Sequence, residues 1–216
     1  SLILAITMGV RQSLGLFIAP INSSTSLDII SISLALAIGQ FIWGLTQPIF
    51  GAIADKKGSF GVLVFGALLM FFGLILTPFL TSEFSIILTL GLLVAAGAGA
   101  GSFSILIGAT AKNLPNEKRS FAGGFINAGG SFGQFIFAPL AQAIINGFGW
   151  IYSMIALAFS TLLTIPLAKI LSSKSKKEET NLTNVIENDI KLKEQLKVAL
   201  KDKSYLYLNL GFFTCG

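Results

Sequence analysis

The sequence predicts an all-α membrane protein of six bilayer-crossing helices followed by the start of a seventh. Composition is the first reason. Hydrophobic residues make up 53 % of the 216-residue chain and charged residues 12 %, against about 25 % charged in a typical soluble domain. The mean hydropathy is +0.80. Block length is the second reason. The apolar runs hold roughly 20 residues or more, enough to cross a hydrocarbon core as helix, and they lack the period-two alternation of strands. Lipid cannot satisfy an unpaired backbone, so such runs are helices. The third reason is where charge falls. Of the 15 Lys and Arg residues, all but Arg11 lie in 56–57, 112–119 and 169–203, whereas the gaps near 22–28 and 81–83 hold only Asp28 and Glu83. Cytoplasmic loops collect Lys and Arg. The alternation therefore predicts a multi-pass membrane protein with a fixed orientation for every span. Its N-terminus and three basic segments lie in the cytoplasm, and its two acidic turns lie outside.

The spans follow in order. Span 1 is Leu2–Ile21 and span 2 about Leu27–Ala54. Span 3, about Phe60–Leu80, is almost purely apolar. Span 4, about Phe84–Ala111, carries five glycines between Gly91 and Gly108, a pattern for close helix packing or flexing. Span 5 is about Phe121–Ile145. Span 6, about Trp150–Leu171, opens with Trp150 and Tyr152 at the outer interface, where amphipathic rings collect, and ends near Lys169. Residues 1–171 thus form a six-helix bundle. Residues 172–203 are a polar cytoplasmic linker, in which Ile186, Ile190, Leu192, Leu196 and Leu200 among Lys residues read either as an amphipathic surface helix or as a solvated one. Residues 204–216 begin span 7. With Ser at position 1 and an unfinished apolar block at Gly216, the chain reads as a piece of something longer.

Arg11 is the sharpest residue. It sits near the middle of span 1, where a charge is costly and by default marks a functional site. A guanidinium stays charged and forks onto carboxylates. The acids Asp28, Asp55 and Glu83 all stand at span ends. Arg11 is expected to hold an anionic substrate or to pair with a carboxylate from elsewhere. The alternatives are bonds to backbone carbonyls and snorkelling to the surface. Span 4 adds Ser102 and Ser104 at membrane depth, facing a cavity.

Two stripes at helical spacing share one face each. Span 2 carries Ser33, Ala37, Gln40, Gly44, Gln47 and Gly51. Span 5 carries Gly124, Asn127, Ser131, Gln134 and Ala138. Both are expected to meet protein or water instead of lipid, as packing seams or, for Asn127 and Gln134, as substrate contacts.

Several classes fall away. With no His and one Cys, Cys215, disulfides, His-based metal sites and His general bases are not expected. Gly97-x-Gly99-x-Gly101 follows no strand, so it has no frame for a phosphate cradle. No nucleophile–base pair is visible, and neither an enzyme, a cofactor nor a metal is expected. The net charge of +5 is spread over one side of a membrane plan, which does not suggest nucleic acid.

Gly51-Ala-Ile-Ala-Asp55-Lys56-Lys57-Gly58 resembles the loop signature between spans 2 and 3 of the major facilitator superfamily. Ser59 and Phe60 stand where that family usually has further basic residues. Lys118-Arg119-x-x-Ala122-x-Gly124-x-x-x-Ala128-Gly129-x-Ser131-x-Gly133 is similar to the start of span 5 in the monocarboxylate transporters and their oxalate/formate-type relatives. Gly9-x-x-x-Ser13-x-Gly15-x-Phe17 in span 1 resembles the same group. The resemblance implies the N-terminal half of a twelve-helix transporter, with a substrate site at the midplane between two six-helix halves. It implies that spans 1 and 4 line the cavity and that spans 2 and 5 meet the other half. Spans 3 and 6 face lipid. Gly51, Asp55, Lys56 and Gly58 would form a gating loop. Gln40, Gly44, Gln47, Lys118, Arg119, Gly124, Gly129, Ser131 and Gly133 would serve helix packing and the interface. Arg11, Ser102, Ser104, Asn127 and Gln134 would contact a small mono- or dicarboxylate, moved with protons. Carboxylate exchange without protons, or a non-transporting receptor on the same fold, are the other readings.

Overall fold

The computed structural model describes residues 1–80, 82–111 and 114–176. Among them are six helices long and apolar enough to cross a membrane: α1 Leu2–Ser24, α2 Ile29–Lys57, α3 Ser59–Phe79, α4 Glu83–Thr110, α5 Glu117–Phe148 and α6 Trp150–Leu171. The expected linker beyond residue 176, its amphipathic helix and the start of a seventh span lie outside the described residues. Each expected span coincides with one helix. The differences are at the ends. Helix α2 continues through Asp55, Lys56 and Lys57, and α5 begins at Glu117. Solvated charges can prolong a helix past the apolar block, and cations at a C-terminus and an acid in a first turn suit the helix dipole.

Two of the connections are single residues. Gly58 joins α2 to α3 and Gly149 joins α5 to α6, with φ of 88° and 90°. Only glycine enters that region without a steric penalty, so both reversals need the residue that stands there.

The bundle is layered by burial. Of the most apolar 18-residue window in each helix, 56 % is buried in α1 and 67 % in α4, but 17 % in α2 and in α5. Helices α1 and α4 are therefore central. Helix α1 packs along α5, α4 lies between α2 and α3, and α6 packs against α3 and α5. Lipid supplies no hydrophobic drive between helices, so close approach of small residues does the work. A Cβ on Gly66 of α3 would stand 2.8 Å from the Gly97 carbonyl of α4, and one on Gly91 would stand 2.9 Å from the Ala35 carbonyl of α2. A Cβ on Gly133 of α5 would collide with the Ala5 backbone of α1.

Buried hydroxyls tie the layers. Thr7 Oγ1 of α1 donates to the Gly101 carbonyl of α4 at 3.2 Å. Ser153 Oγ of α6 donates to the Ala141 carbonyl of α5 at 3.1 Å. An exposed bond joins two helix starts: Ser31 Oγ of α2 donates to Glu83 Oε1 of α4 at 2.8 Å. Helix α4 is not uniform. It is a π-helix over Ile87–Val94, α-helical over Ala95–Ala100, and turns at Gly101–Ser102 before Phe103–Ala111.

Candidate functional site

Arg11 stands about 14 Å along α1 from Leu2, at 1.5 Å rise per residue. This is near the middle of the apolar helix Leu2–Ser24. Helix α1 meets α2 through its Ile18–Ser24 end. On the Leu2 side of that contact lies a cavity of about 280 Å³ bounded by α1, α2 and α4. Arg11, Gln12 and Gln40 give it polar walls, and Leu36, Leu90 and Val94 give it apolar ones. Its floor is set by the close α2–α4 contact, where a Cβ on Gly39 would stand 3.5 Å from Ala95.

The guanidinium of Arg11 lies over the indole of Trp43 on α2, with Cζ 4.0 Å from the ring centroid. An aromatic face attracts a cation by about 2 kcal/mol or more where water is excluded. A ring in this position does not neutralise the charge, and an Arg can grip an oxyanion with two parallel N–H bonds. Among the described residues the acids stand at helix ends: Asp28 just before α2, Asp55 in its last turns, Glu83 at the start of α4 and Glu117 at the start of α5. None shares the depth of Arg11. Trp43 Nε1 is itself buried without a hydrogen-bond partner.

The other predicted contacts are not gathered around Arg11. Ser102 is fully buried at the turn in α4, its Oγ lacks a partner, and it does not line this cavity. Ser104 is exposed, as is Asn127; Gln134 is half-buried on α5, and neither of these amides lines the cavity. Gln40, expected at an interface, lines the cavity. On the rest of its stripe, Gln47 is half-buried, and a Cβ on Gly44 or Gly51 would meet nothing within 4 Å. Gly124 and Ser131 of α5 are likewise open, whereas Gly129 and Gly133 are taken up by α1, against Ser1 and Ala5. Asp55, Lys56 and Gly58 lie exposed at the α2–α3 turn, and so do Lys118 and Arg119 at the start of α5. Arg119 Nε donates to the Leu114 carbonyl at 3.2 Å. Sequence reasoning missed Trp43 and Gln12. Trp43 stands one helical turn from Gln40, a spacing that could have linked the two.

The pattern described as Major Facilitator Superfamily matches residues 1–216. The chain belongs to the major facilitator superfamily. Within the superfamily, it is 27 % identical over 176 residues to monocarboxylate transporter 13 of Rattus norvegicus, covering 82 % of this chain and 41 % of that protein. It is 28 % identical over 145 residues to the oxalate:formate antiporter of Oxalobacter formigenes, covering 67 % of this chain and 34 % of that protein. To monocarboxylate transporter 12 of Rattus norvegicus it is 32 % identical over 106 residues, 49 % of this chain and 21 % of that protein. The chain thus spans less than half the length of these relatives. Superfamily membership and six apolar helices make it a multi-pass membrane protein.

Proposed function

We propose that the full-length protein moves a small mono- or dicarboxylate across the membrane by alternating access, with Arg11 anchoring the anion. One observation carries the reading: a guanidinium midway along α1, its Cζ 4.0 Å from the Trp43 ring centroid, with no acid at its level among the described residues, beside a cavity sized for a few heavy atoms. A cavity of about 280 Å³ lies just below the usual range of roughly 300–1,000 Å³ for small-molecule sites. The relatives' names, monocarboxylate transporter and oxalate:formate antiporter, support the same substrate class. A second six-helix half would cover the open polar faces of α2 and α5 and complete the site.

Symport with a proton is the favoured coupling. Moving a net charge against the potential costs about 2.3 kcal/mol per 100 mV, and a co-transported proton removes that cost. The proton carrier would come from the second half, because the acids among the described residues stand at helix ends. Exchange of one carboxylate for another is the second reading, supported by the antiporter relative. Uptake of labelled acetate, lactate and oxalate into proteoliposomes separates the two. Symport predicts stimulation by an inward proton gradient and loss when that gradient is collapsed. Exchange predicts uptake that ignores the gradient and needs internal carboxylate. Tight binding with no movement of any of the three would overturn transport itself.

The orientation is tested separately. In a Cys215→Ser background, single cysteines replacing Lys57 and Glu83 are expected to react with an impermeant maleimide from opposite sides, Lys57 from the cytoplasm. Labelling from a common side would sink the topology.

A further inference from the structure

We propose that Trp43 is the positioning residue of this site: its indole face holds the Arg11 guanidinium in place of a carboxylate counter-ion. The inference rests on the reading of Arg11 as an anion anchor. An arginine at this depth needs a partner, and two kinds could serve. A carboxylate would neutralise it and occupy the N–H edge that a substrate must use. An aromatic ring leaves the charge and that edge in place. Among the described residues Arg11 has the second arrangement, with the cation 4.0 Å from the ring centroid and Arg11 lining the cavity.

The orphaned indole N–H supports the same assignment. Trp43 Nε1 is shielded from solvent and has no acceptor, which is unfavourable for a buried donor. The indole is therefore not held there by its hydrogen bond. Trp43 packs against the main apolar cluster of the bundle, and the functional contact it makes is through its face. The attachment point strengthens the case. Trp43 and Gln40 lie one turn apart on α2, so the helix that presents an amide to the cavity also fixes the cation from behind. The Arg11 side chain then bridges α1 to α2 across the cavity side of their contact, and any motion of α2 relative to α1 would move the ring from under the charge.

The test varies the ring's electrostatics without changing its shape. Fluorinated tryptophans, from one to four fluorines, are incorporated at position 43 of the full-length protein, and binding of acetate, lactate and oxalate is measured. Fluorine drains the negative ring face and weakens its hold on a cation. The dissociation constant is expected to rise stepwise along the series, by about tenfold at four fluorines, corresponding to about 1.4 kcal/mol of ring–cation attraction. A merely space-filling indole predicts a flat series. A flat series, in a protein where Arg11→Gln abolishes binding, would overturn the role of Trp43 and leave the transport reading standing. A second measurement needs no ligand. With Trp150→Phe and any tryptophans outside these residues replaced, the emission of Trp43 is expected to shift on Arg11→Gln. No shift would overturn the stack. If the unmodified protein binds none of the three carboxylates, the transport reading falls alone, and the emission experiment still decides the stack.

Discussion

Arg11→Ala in the full-length protein is expected to lower carboxylate uptake by roughly a hundredfold or more while leaving insertion intact. Removing one partner of a buried, hydrogen-bonded charge pair costs about 2–5 kcal/mol, and about 2.8 kcal/mol corresponds to a hundredfold. The expected sign of the folding effect is the opposite. A mid-membrane charge is costly to the bundle, and Ala removes it, so the substituted protein should extract and melt at least as well as the original. That divergence separates loss of an anchor from loss of structure. Arg11→Lys keeps the charge but loses the planar fork and the stacking face, and about a tenfold reduction is expected. Uptake per molecule in the membrane is the measurement. Unchanged uptake in the Ala form would remove Arg11 from the site.

Gly133→Leu is expected to prevent the bundle from assembling. At this point α1 and α5 touch backbone to backbone. A Cβ on Gly133 would collide with Ala5, and one on the facing Gly9 would stand 2.6 Å from the Phe137 ring and 2.9 Å from the Gly133 carbonyl. Overpacking by a few methylenes costs about 1–3 kcal/mol where side chains can yield. Here the obstacle is main chain, so the helices must separate and lose the contacts along their length. Gly61→Leu is the matched control. Gly61 is exposed on α3, and a Cβ there would meet nothing within 4 Å. Monodisperse protein after detergent extraction should vanish for Gly133→Leu and persist for Gly61→Leu. A well-behaved Gly133→Leu protein would refute the α1–α5 contact.

The helices were legible because their signal is one-dimensional. Block length and the positions of Lys and Arg need no knowledge of neighbours, and they located all six. Arg11 was legible for the same reason, since its depth follows from its place in a span. What could not be read is rotational. Helix α5 carries two candidate faces: Gly124–Asn127–Ser131, which the structure leaves open, and Gly129–Gly133, which α1 occupies. Both have helical spacing and small residues, so composition cannot say which one meets α1. The partnership of Arg11 with Trp43 likewise depends on how α2 is turned toward α1. A tryptophan in an apolar helix reads as bulk until its neighbour is known. The orientation of Ser102 is rotational in the same way. Its depth was plain, but the π-helical stretch at Ile87–Val94 changes which way the residues after it face, and nothing in the run of Leu, Gly and Val announces that stretch.

The pairing of depth with centrality in α1 and α4 has a further consequence. Two of the three helices that wall the cavity, α1 and α4, are also the two most enclosed by their neighbours. Retuning substrate choice at Leu90 or Val94 would thus disturb the same contacts that keep the fold intact. Neutral drift should instead accumulate on the outer sides of α3 and α6, where Phe65, Phe72, Phe159 and Ile170 lie exposed. New selectivities in such a chain would arise most easily after compensating changes on α3 and α6 had first raised its tolerance.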